Sequence, residues 1–200
     1  MDIGAEYKQR WEQYLKPIAN KLQEKLLDEL KDVPRVDRVS ARAKDPTRFM
    51  NKSQKSEGGR PKYNDPLVQI QDQIGARVIV FYVDDVIVVE KAIEDYYRHI
   101  EKKDLVPESD SEFGYVGKHY VLKLPEDVIE DEDDKTKIPK FFELQIKTLF
   151  QHAWSEANHD LGYKPDQELT SHHRRKLAFT AAQAWGADQI FSELLRDLDA

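Results

Sequence analysis

The N-terminal part of the chain carries apolar residues at helical spacing. They recur every three or four positions, as on the buried face of an amphipathic helix: Trp11, Leu15, Ile18, Leu22, Leu26 and Leu30. The pattern predicts one long helix over 7–30. It ends near Asp32-Val-Pro34, because proline cannot continue a helix. Residues 36–43 (VDRVSARA) then alternate between apolar and polar positions, which predicts a strand with one polar face.

Three later segments have the composition of strands. Residues 74–83 (IGARVIVFYV) are rich in β-branched and aromatic residues and are typical of a central strand. Residues 115–124 and 141–146 (FFELQI) predict two more strands. Segment 55–66 (KSEGGRPKYNDP) is rich in Gly, Pro and Asn and predicts a loop.

Helical segments separate these strands. Caps and periodicity predict a short helix from Asp45-Pro46, one from Asp84-Asp85 through about 98, one over 148–162, and one or two over 171–199. The alternation of strands and helices indicates an α/β or α+β protein built on a sheet.

Composition narrows the class of protein. The chain has 200 residues, of which 40% are hydrophobic and 34% charged, and it has no cysteine. This fits a single globular domain without disulfides or thiolate metal sites. The first residues, MDIGAEYKQRW, lack the apolar core of a secretory signal. No segment approaches the run of about eighteen apolar residues expected of a membrane span. We therefore expect a cytoplasmic protein without a membrane partner.

The charge distribution is uneven. The net charge of −7 disfavours general coating of a nucleic-acid duplex. Much of the acidity lies in 126–134, which predicts a solvated acidic loop, whereas basic residues gather at 35–62 and 174–176. A local cationic pocket in an acidic protein suits a small polyphosphate ligand.

Two isolated carboxylates stand at predicted strands. Asp72 precedes the strand over 74–83, and Glu143 lies within FFELQI. Burying an ionised carboxylate is costly unless a cation or donor accompanies it, so two such residues on strands that could pair in space suggest a metal site. Taken separately, Asp72 could cap its strand or pair with Arg77, and Glu143 could face solvent on an edge strand. His152, Glu156 and His159 share one helix face and could form a metal site, although their spacing is not that of the HExxH zinc motif.

Five motifs in order resemble the synthetase domain of RelA/SpoT-type alarmone synthetases, and most of all its stand-alone small forms. The resemblance extends over about 35–164. The motifs are Arg42-Ala-Lys44, Asp72 with Gly75 and Arg77, GYVGKHY at 114–120, ELQIKT at 143–148, and HAWSEANHDLGYK at 152–164.

The resemblance implies a pyrophosphokinase that moves the β,γ-diphosphate of ATP to the 3′-hydroxyl of GDP or GTP, giving ppGpp or pppGpp. It also implies a mixed sheet flanked by helices, related to nucleotidyltransferases. We expect one synthetase domain over 1–200. It would comprise an N-terminal helix at 1–32, a catalytic core at 35–164 and a C-terminal helical region at 170–200.

The resemblance further implies roles for the catalytic and ATP-binding positions. Asp72 and Glu143 would hold Mg²⁺, which takes hard oxygen ligands together with substrate phosphates. Glu143 would also polarise the attacking hydroxyl, with Gln145 maintaining the hydrogen bonds beside it. The implied ATP contacts are Arg42 and Arg77 stacked on the two faces of adenine, and Lys44 and Lys52 at the phosphates.

For the acceptor, Tyr115 would stack on the base, and Lys118 and His119 would lie near its phosphates. The chain departs from the family pattern near these positions. Gly117 stands where the family has a serine. Asn158 stands where the family often has a glutamate, and the nearest glutamate in this chain is Glu156. Two further departures are Arg48 in place of a serine and Lys147 in place of an arginine.

These departures leave alternatives open. A toxic synthetase of the same superfamily would diphosphorylate the 3′-CCA end of tRNA or adenine nucleotides, and the basic residues 174–176 suit a tRNA acceptor. Such a toxin would have an antitoxin partner. A non-catalytic nucleotide-binding module is the third alternative. Self-association through 171–199 would give a homo-oligomer.

Overall fold

The computed structural model describes residues 2–107, 109, 112–114, 117–131, 133–162 and 168–199. Within these ranges a five-stranded mixed sheet carries helices on both faces, in agreement with the predicted fold class. The helices are α1 (Ile3–Arg10), α2 (Lys16–Glu29), α3 (Pro46–Ser53), α4 (Pro66–Gln69), α5 (Val83–Tyr96), α6 (Leu149–Gly162) and α7 (Ser171–Asp199).

The main sheet has the strand order β1-β4-β7-β6-β5. β4 and β7 run parallel, whereas the other neighbouring pairs are antiparallel. The strands are β1 (Val36–Ala43), β4 (Ile74–Val80), β5 (His99–Leu105), β6 (Gly117–Lys123) and β7 (Phe141–Thr148), and a separate two-stranded sheet pairs β2 (Ser56–Glu57) with β3 (Arg60–Pro61).

Alternation along the strands gives the main sheet one apolar face and one polar face. α2 and α5 contact the strands on the apolar face, where Ile74, Val78, Tyr120 and Leu144 are fully buried. The side chains of the polar face include those of β7 that α6 covers: Lys147 lies under this helix, with its Nζ 3.1 Å from Ser155 Oγ.

The predicted N-terminal helix is continuous but not regular. α1 and α2 are joined by a π-helical segment, Trp11–Leu15, in which the Lys16 N–H donates to the Trp11 carbonyl. Pro17 stands in the first turn of α2 and has no N–H to donate to the carbonyl four residues earlier. Its ring also crowds that carbonyl, which accounts for the local widening of the helix.

The sequence analysis missed one strand of the sheet, β5. Its sequence, HIEKKDL, is mostly charged and exposed, which suits an edge strand but gives little apolar alternation to detect. The predicted loop over 55–66 contains the small β2–β3 hairpin, whose turn uses Gly58 and Gly59 at positive φ. The predicted central strand ends earlier than expected, because Val83 already begins α5.

The C-terminal helix α7 is attached to the sheet through buried polar groups. The Thr148 hydroxyl donates to Asp188 Oδ2 at 2.8 Å, and the Val83 N–H donates to Ser192 Oγ at 3.1 Å. Asp188 is only 2% exposed, and its Oδ1 has no hydrogen-bond partner among the described residues. Burial raises the pKa of Asp188 to about 6, against a smaller lowering effect of the Thr148 hydrogen bond.

No helix among the described residues is long and apolar enough to cross a membrane.

We expect Asp188→Asn to stabilise the protein more at neutral than at acidic pH. Asp188 binds its proton more tightly when folded, with a pKa near 6 against 3.8 in its unperturbed state. Stability therefore falls as pH rises between these two values, by about 3 kcal/mol at most. The amide carries no charge to bury. Thermal unfolding at about pH 4 and pH 7.5 should show the variant gaining over the wild type only at the higher pH.

Asp197→Asn provides the control, since it removes an exposed carboxylate from the same helix. An equal effect of Asp188→Asn at both pH values would contradict the assignment of a raised pKa to this group.

Candidate active site

The register of three strand pairs gathers the candidate residues on the polar face. Glu143 lies opposite Gly75 and Gln145 opposite Arg77 in the parallel β4–β7 pair. Arg42 lies opposite Gly75 in β1, and His119 lies opposite Gln145 in β6. Side chains of directly opposite residues share a face of the sheet. Two carboxylates far apart in sequence are thus brought into one cleft, since Asp72 lines the same cavity as Glu143.

Asp72 reaches this cleft from the turn that precedes β4. It lies in a 3₁₀ turn, Gln71–Gln73, with φ −89° and ψ 31°. The Lys44 N–H donates to the Gln73 carbonyl at 2.8 Å, so the end of β1 is fixed next to this turn. Lys44 Nζ is 2.6 Å from Asp72 Oδ2, and Lys52 Nζ, from α3, is 2.9 Å from Oδ1. Asp72 therefore pairs with the two predicted phosphate-binding lysines and not with Arg77.

Both carboxylates are ionised at neutral pH. Burial raises the pKa of the Asp72 carboxyl. Lys44 and Lys52 together lower this pKa by more than burial raises it, so the net shift is downward. Burial is also the largest influence on Glu143 and raises its pKa, but the hydrogen bond and charge of His119, together with Lys52, act against it and the net shift is downward. His119 Nδ1 lies 2.9 Å from Glu143 Oε1. Each acidic group thus has its own basic partner, which limits the repulsion between them.

The two carboxylates lie at the boundary of two cavities. One cavity, of about 390 Å³, is lined by arginines from β1, α3 and β4: Arg42, Arg48 and Arg77. The other, of about 340 Å³, extends toward β5 and β6 and is lined by Lys52, Tyr63, Lys103 and His119. Asp72 and Glu143 line both. This arrangement suits two ligands that meet at the acidic pair.

The strand register spaces two arginines of this cavity about as far apart as a sandwiched aromatic ring requires. Arg42 is opposite Gly75 and Arg77 is opposite Ser40, so the two arginines are diagonal neighbours, about 7–8 Å apart at their bases. A flat ring needs about 3.5 Å on each side. Gly75 is next to both, opposite Arg42 and two residues before Arg77, and a Cβ added to it would meet nothing within 4 Å. The floor of the gap is therefore open.

α6 fixes the orientation of Arg77. Arg77 Nη1 lies 2.9 Å from Glu156 Oε1 and 3.4 Å from His152 Nδ1. Hydrogen bonds to a guanidinium lie in its plane, so its faces stay open for stacking. Burial lowers the pKa of His152 and the charge of Arg77 lowers it further, which favours a neutral imidazole beside the cation. His152 and Glu156, which were predicted to share a helix face, thus both contact the Arg77 guanidinium.

One predicted acceptor contact lies away from the cleft, and another cannot be placed among the described residues. Tyr115 lies outside the described residues. Lys118 is adjacent to His119 on β6, so its side chain points to the opposite face, where its Nζ is 3.2 Å from Glu90 Oε1 and 3.1 Å from Asp104 Oδ1. Strand alternation therefore removes Lys118 from the candidate site.

Several cleft residues were not among the predicted contacts. Lys103 comes from the strand that the sequence analysis missed, and Tyr63 from the segment predicted to be a loop. Arg48 follows Asp45-Pro46 on α3, where helical spacing from Lys52 could have indicated that both face the cleft. Gln145, which was predicted to maintain the hydrogen bonds beside Glu143, lines the arginine cavity together with Glu143.

The donor set suits a hard divalent cation. Among the described residues no group of three or more His, Cys, Asp or Glu side chains is arranged to hold a metal, and this includes His152, Glu156 and His159. What the cleft offers is a pair of ionised carboxylates. Mg²⁺ is commonly held by one or two carboxylates, with waters and substrate phosphates completing its octahedron. The residues present therefore fit Mg²⁺ better than a transition metal.

Comparison with known proteins agrees with this geometry. The family described as "Region found in RelA / SpoT proteins" matches residues 41–168. GTP pyrophosphokinase YjbM of Bacillus subtilis (strain 168) is 25% identical over 127 residues, which span 62% of this chain and 57% of that protein. The chain thus aligns with little more than half of the length of this relative.

Solved structures are similar over nearly the whole chain. A GTP pyrophosphokinase family protein from Streptococcus pneumoniae has a TM-score of 0.74 at 25% identity, covering 94% of both chains. Small alarmone synthetase 1 from Bacillus subtilis, bound to its product pppGpp, has a TM-score of 0.69 at 21% identity, covering 98% of this chain and 96% of that one. With the family match extending over β4, β6, β7 and the cleft that they form, the chain belongs to the RelA/SpoT family.

Proposed function

We propose that this protein is a pyrophosphokinase that transfers the β,γ-diphosphate of ATP to the 3′-hydroxyl of GDP or GTP. The observation that supports this most directly is the position of Asp72 and Glu143 at the boundary of two cavities. A diphosphoryl transfer needs a donor and an acceptor that meet at a site of charge neutralisation. The relatives named GTP pyrophosphokinase support the same reaction class.

The donor occupies the arginine-lined cavity in this proposal. Arg42 and Arg77 stack on the two faces of adenine above Gly75, and Lys44 and Lys52 contact the phosphates. Asp72 and Glu143 would hold Mg²⁺, which would neutralise charge on the transferred diphosphate. Lys44 and Lys52 carry two positive charges against the single negative charge of Asp72, so cationic groups of the protein would act on the phosphates in addition to the metal.

The acceptor occupies the cavity beside β5 and β6, with His119 and Lys103 in its wall. Its 3′-oxygen attacks the β-phosphorus of ATP while the bond from that phosphorus to the α–β bridging oxygen breaks. AMP leaves, and the hydroxyl proton passes to the Glu143–His119 pair. The reaction needs positioning and charge neutralisation, and no covalent enzyme intermediate.

A second candidate acceptor is the 3′ end of tRNA. Arg174 and Arg175 line a cavity with Phe113, which precedes Tyr115 in the chain. Phe113 also contacts Trp185 of α7, with ring centroids 5.8 Å apart. The basic start of α7 thus lies beside the segment that leads to the predicted acceptor stack, where cationic side chains would contact backbone phosphates.

The remaining partner assignments stay predictions. Large apolar side chains of α7 are at least 47% exposed, namely Phe179, Trp185, Ile190, Phe191, Leu194 and Leu198. This surface agrees with the predicted self-association through the C-terminal region, which light scattering would measure. An antitoxin partner belongs only to the tRNA-modifying alternative.

Labelled ATP will identify the acceptor. We expect protein incubated with Mg²⁺ and [γ-³²P]ATP to label GDP or GTP, and not bulk tRNA or adenine nucleotides, in separate reactions resolved by chromatography and gel. Glu143→Gln should lower the rate by at least about a hundredfold, because the amide neither binds Mg²⁺ as an anion nor accepts the proton. Glu12→Gln, a matched exchange on the N-terminal helix, should leave the rate unchanged.

Labelling of tRNA alone would replace the lead proposal with the second candidate. Tight ATP binding without label on any acceptor, and unchanged by Glu143→Gln, would instead indicate the non-catalytic module.

Gly75→Val should weaken ATP binding without weakening the fold. A valine is well suited to a strand, and its Cβ would stand in open space, but its methyl groups would occupy the floor of the gap between Arg42 and Arg77. We expect the KM for ATP to rise at least about tenfold, the KM for the acceptor to change little, and Tm to stay within about 2 °C.

Gly186→Val is the matched control, since a Cβ there also meets nothing within 4 Å but lies on α7. An unchanged KM for ATP in Gly75→Val would place the adenine elsewhere.

A further inference from the structure

Two stacked arginines do not by themselves select a base. Every nucleobase has a flat π-face, so stacking on Arg42 and Arg77 tolerates any of them. Selection requires a polar group at the edge of the ring, where the bases differ in their donors and acceptors. A cavity wider than the arginine gap, about 640 Å³, includes both arginines and brings one more acidic side chain to their side, Glu156 of α6.

Glu156 lies in the plane of the Arg77 guanidinium. Its Oε1 accepts from Arg77 Nη1 at 2.9 Å, and its side chain is 56% exposed, in contrast to 22% for Arg77. A base stacked parallel to that guanidinium would have its edge beside the same carboxylate. Because more than half of the side chain is exposed, its second carboxylate oxygen, Oε2, can turn toward that edge.

We propose that Glu156 selects adenine in the donor pocket by accepting a hydrogen bond from the 6-amino group of the base. This inference rests on the proposed function and identifies the side chain that distinguishes ATP from other nucleoside triphosphates. A carboxylate only accepts hydrogen bonds. Adenine offers a donor at its 6-position, whereas guanine and hypoxanthine offer an oxygen acceptor, which the carboxylate repels.

The surroundings of Glu156 keep it in the accepting state. Burial raises the pKa of the carboxyl, but the charge and hydrogen bond of Arg77 act against it and the net shift is downward. Arg77 meanwhile uses its edge for Glu156 and its face for the base. The contact between Arg77 and Glu156 therefore orients the stacking arginine and also places the carboxylate that accepts the hydrogen bond from the base. The sequence motif alone does not reveal this contact.

The test compares two donors that differ in a single group. Purine riboside 5′-triphosphate lacks only the 6-amino group of ATP, and both can be presented with saturating GDP as acceptor. We expect wild-type kcat/KM to be at least about tenfold higher for ATP than for the purine analogue. In Glu156→Ala this ratio should fall to near one. Inosine 5′-triphosphate should be the poorest donor for the wild type and should improve in Glu156→Gln, whose amide can donate to O6.

The ratio separates selection from a structural role. Loosening of Arg77 would lower kcat/KM for both donors alike and leave the ratio unchanged. Asp160→Asn removes a negative charge one turn further along the same helix and does not line the cleft cavities described above. It should keep the wild-type ratio.

An equal ATP-to-purine ratio in the wild type and in Glu156→Ala would overturn the assignment. If no donor supports transfer, the proposed function fails on its own. The ratio of dissociation constants of the two triphosphates, measured by calorimetry, then tests Glu156 in the same way: a fall toward one in the variant supports the assignment, and an unchanged ratio refutes it.

Discussion

The site depends on placing two ionised carboxylates in one partly enclosed cleft. Like charges repel strongly where the dielectric is low, and removing each from water is costly. The fold gives each carboxylate its own basic partners, which are Lys44 and Lys52 for Asp72 and His119 for Glu143. These partners come from the end of β1, from α3 and from β6. All three elements therefore contribute to offsetting the electrostatic cost of the acidic pair.

Parallel pairing of β4 with β7 gives this arrangement its geometry. The register that places Gly75 opposite Glu143 and Arg77 opposite Gln145 also puts both rows on the same face. A shift by one residue would send the row to the other face. The apolar residues between them, Ala76 and Leu144, are buried on the core side. Core packing therefore holds the register, and the register in turn holds the cleft.

Much of the fold followed from the sequence, because its strong patterns were those of buried elements. The apolar run of β4 and the alternation of β1 predicted strands that the structure contains. β5 was missed because an exposed edge strand of charged residues has no apolar face to show. The π segment was also missed, since the presence of Pro17 does not by itself indicate how the backbone of a continuous helix will adjust to a proline.

The site was predicted well where strand periodicity could be applied and poorly where the motif was read as one unit. Arg42, Gly75, Glu143 and Gln145 fall on one face by simple alternation. The same alternation separates Lys118 from His119, so a contiguous motif could not place both in the cleft.

The contact between Glu156 and Arg77 crosses from α6 to β4. No local pattern predicts it, because it depends on how a helix that follows β7 folds back over the sheet. The same chain reversal covers Lys147, whose pKa falls to about 8 through burial and through the neighbouring charge of Arg77. α6 thus brings one acidic group to Arg77 while it shields a second cation nearby. The chemical character of the arginine-lined cavity therefore depends on the tertiary docking of this helix as much as on the residues of the strands themselves.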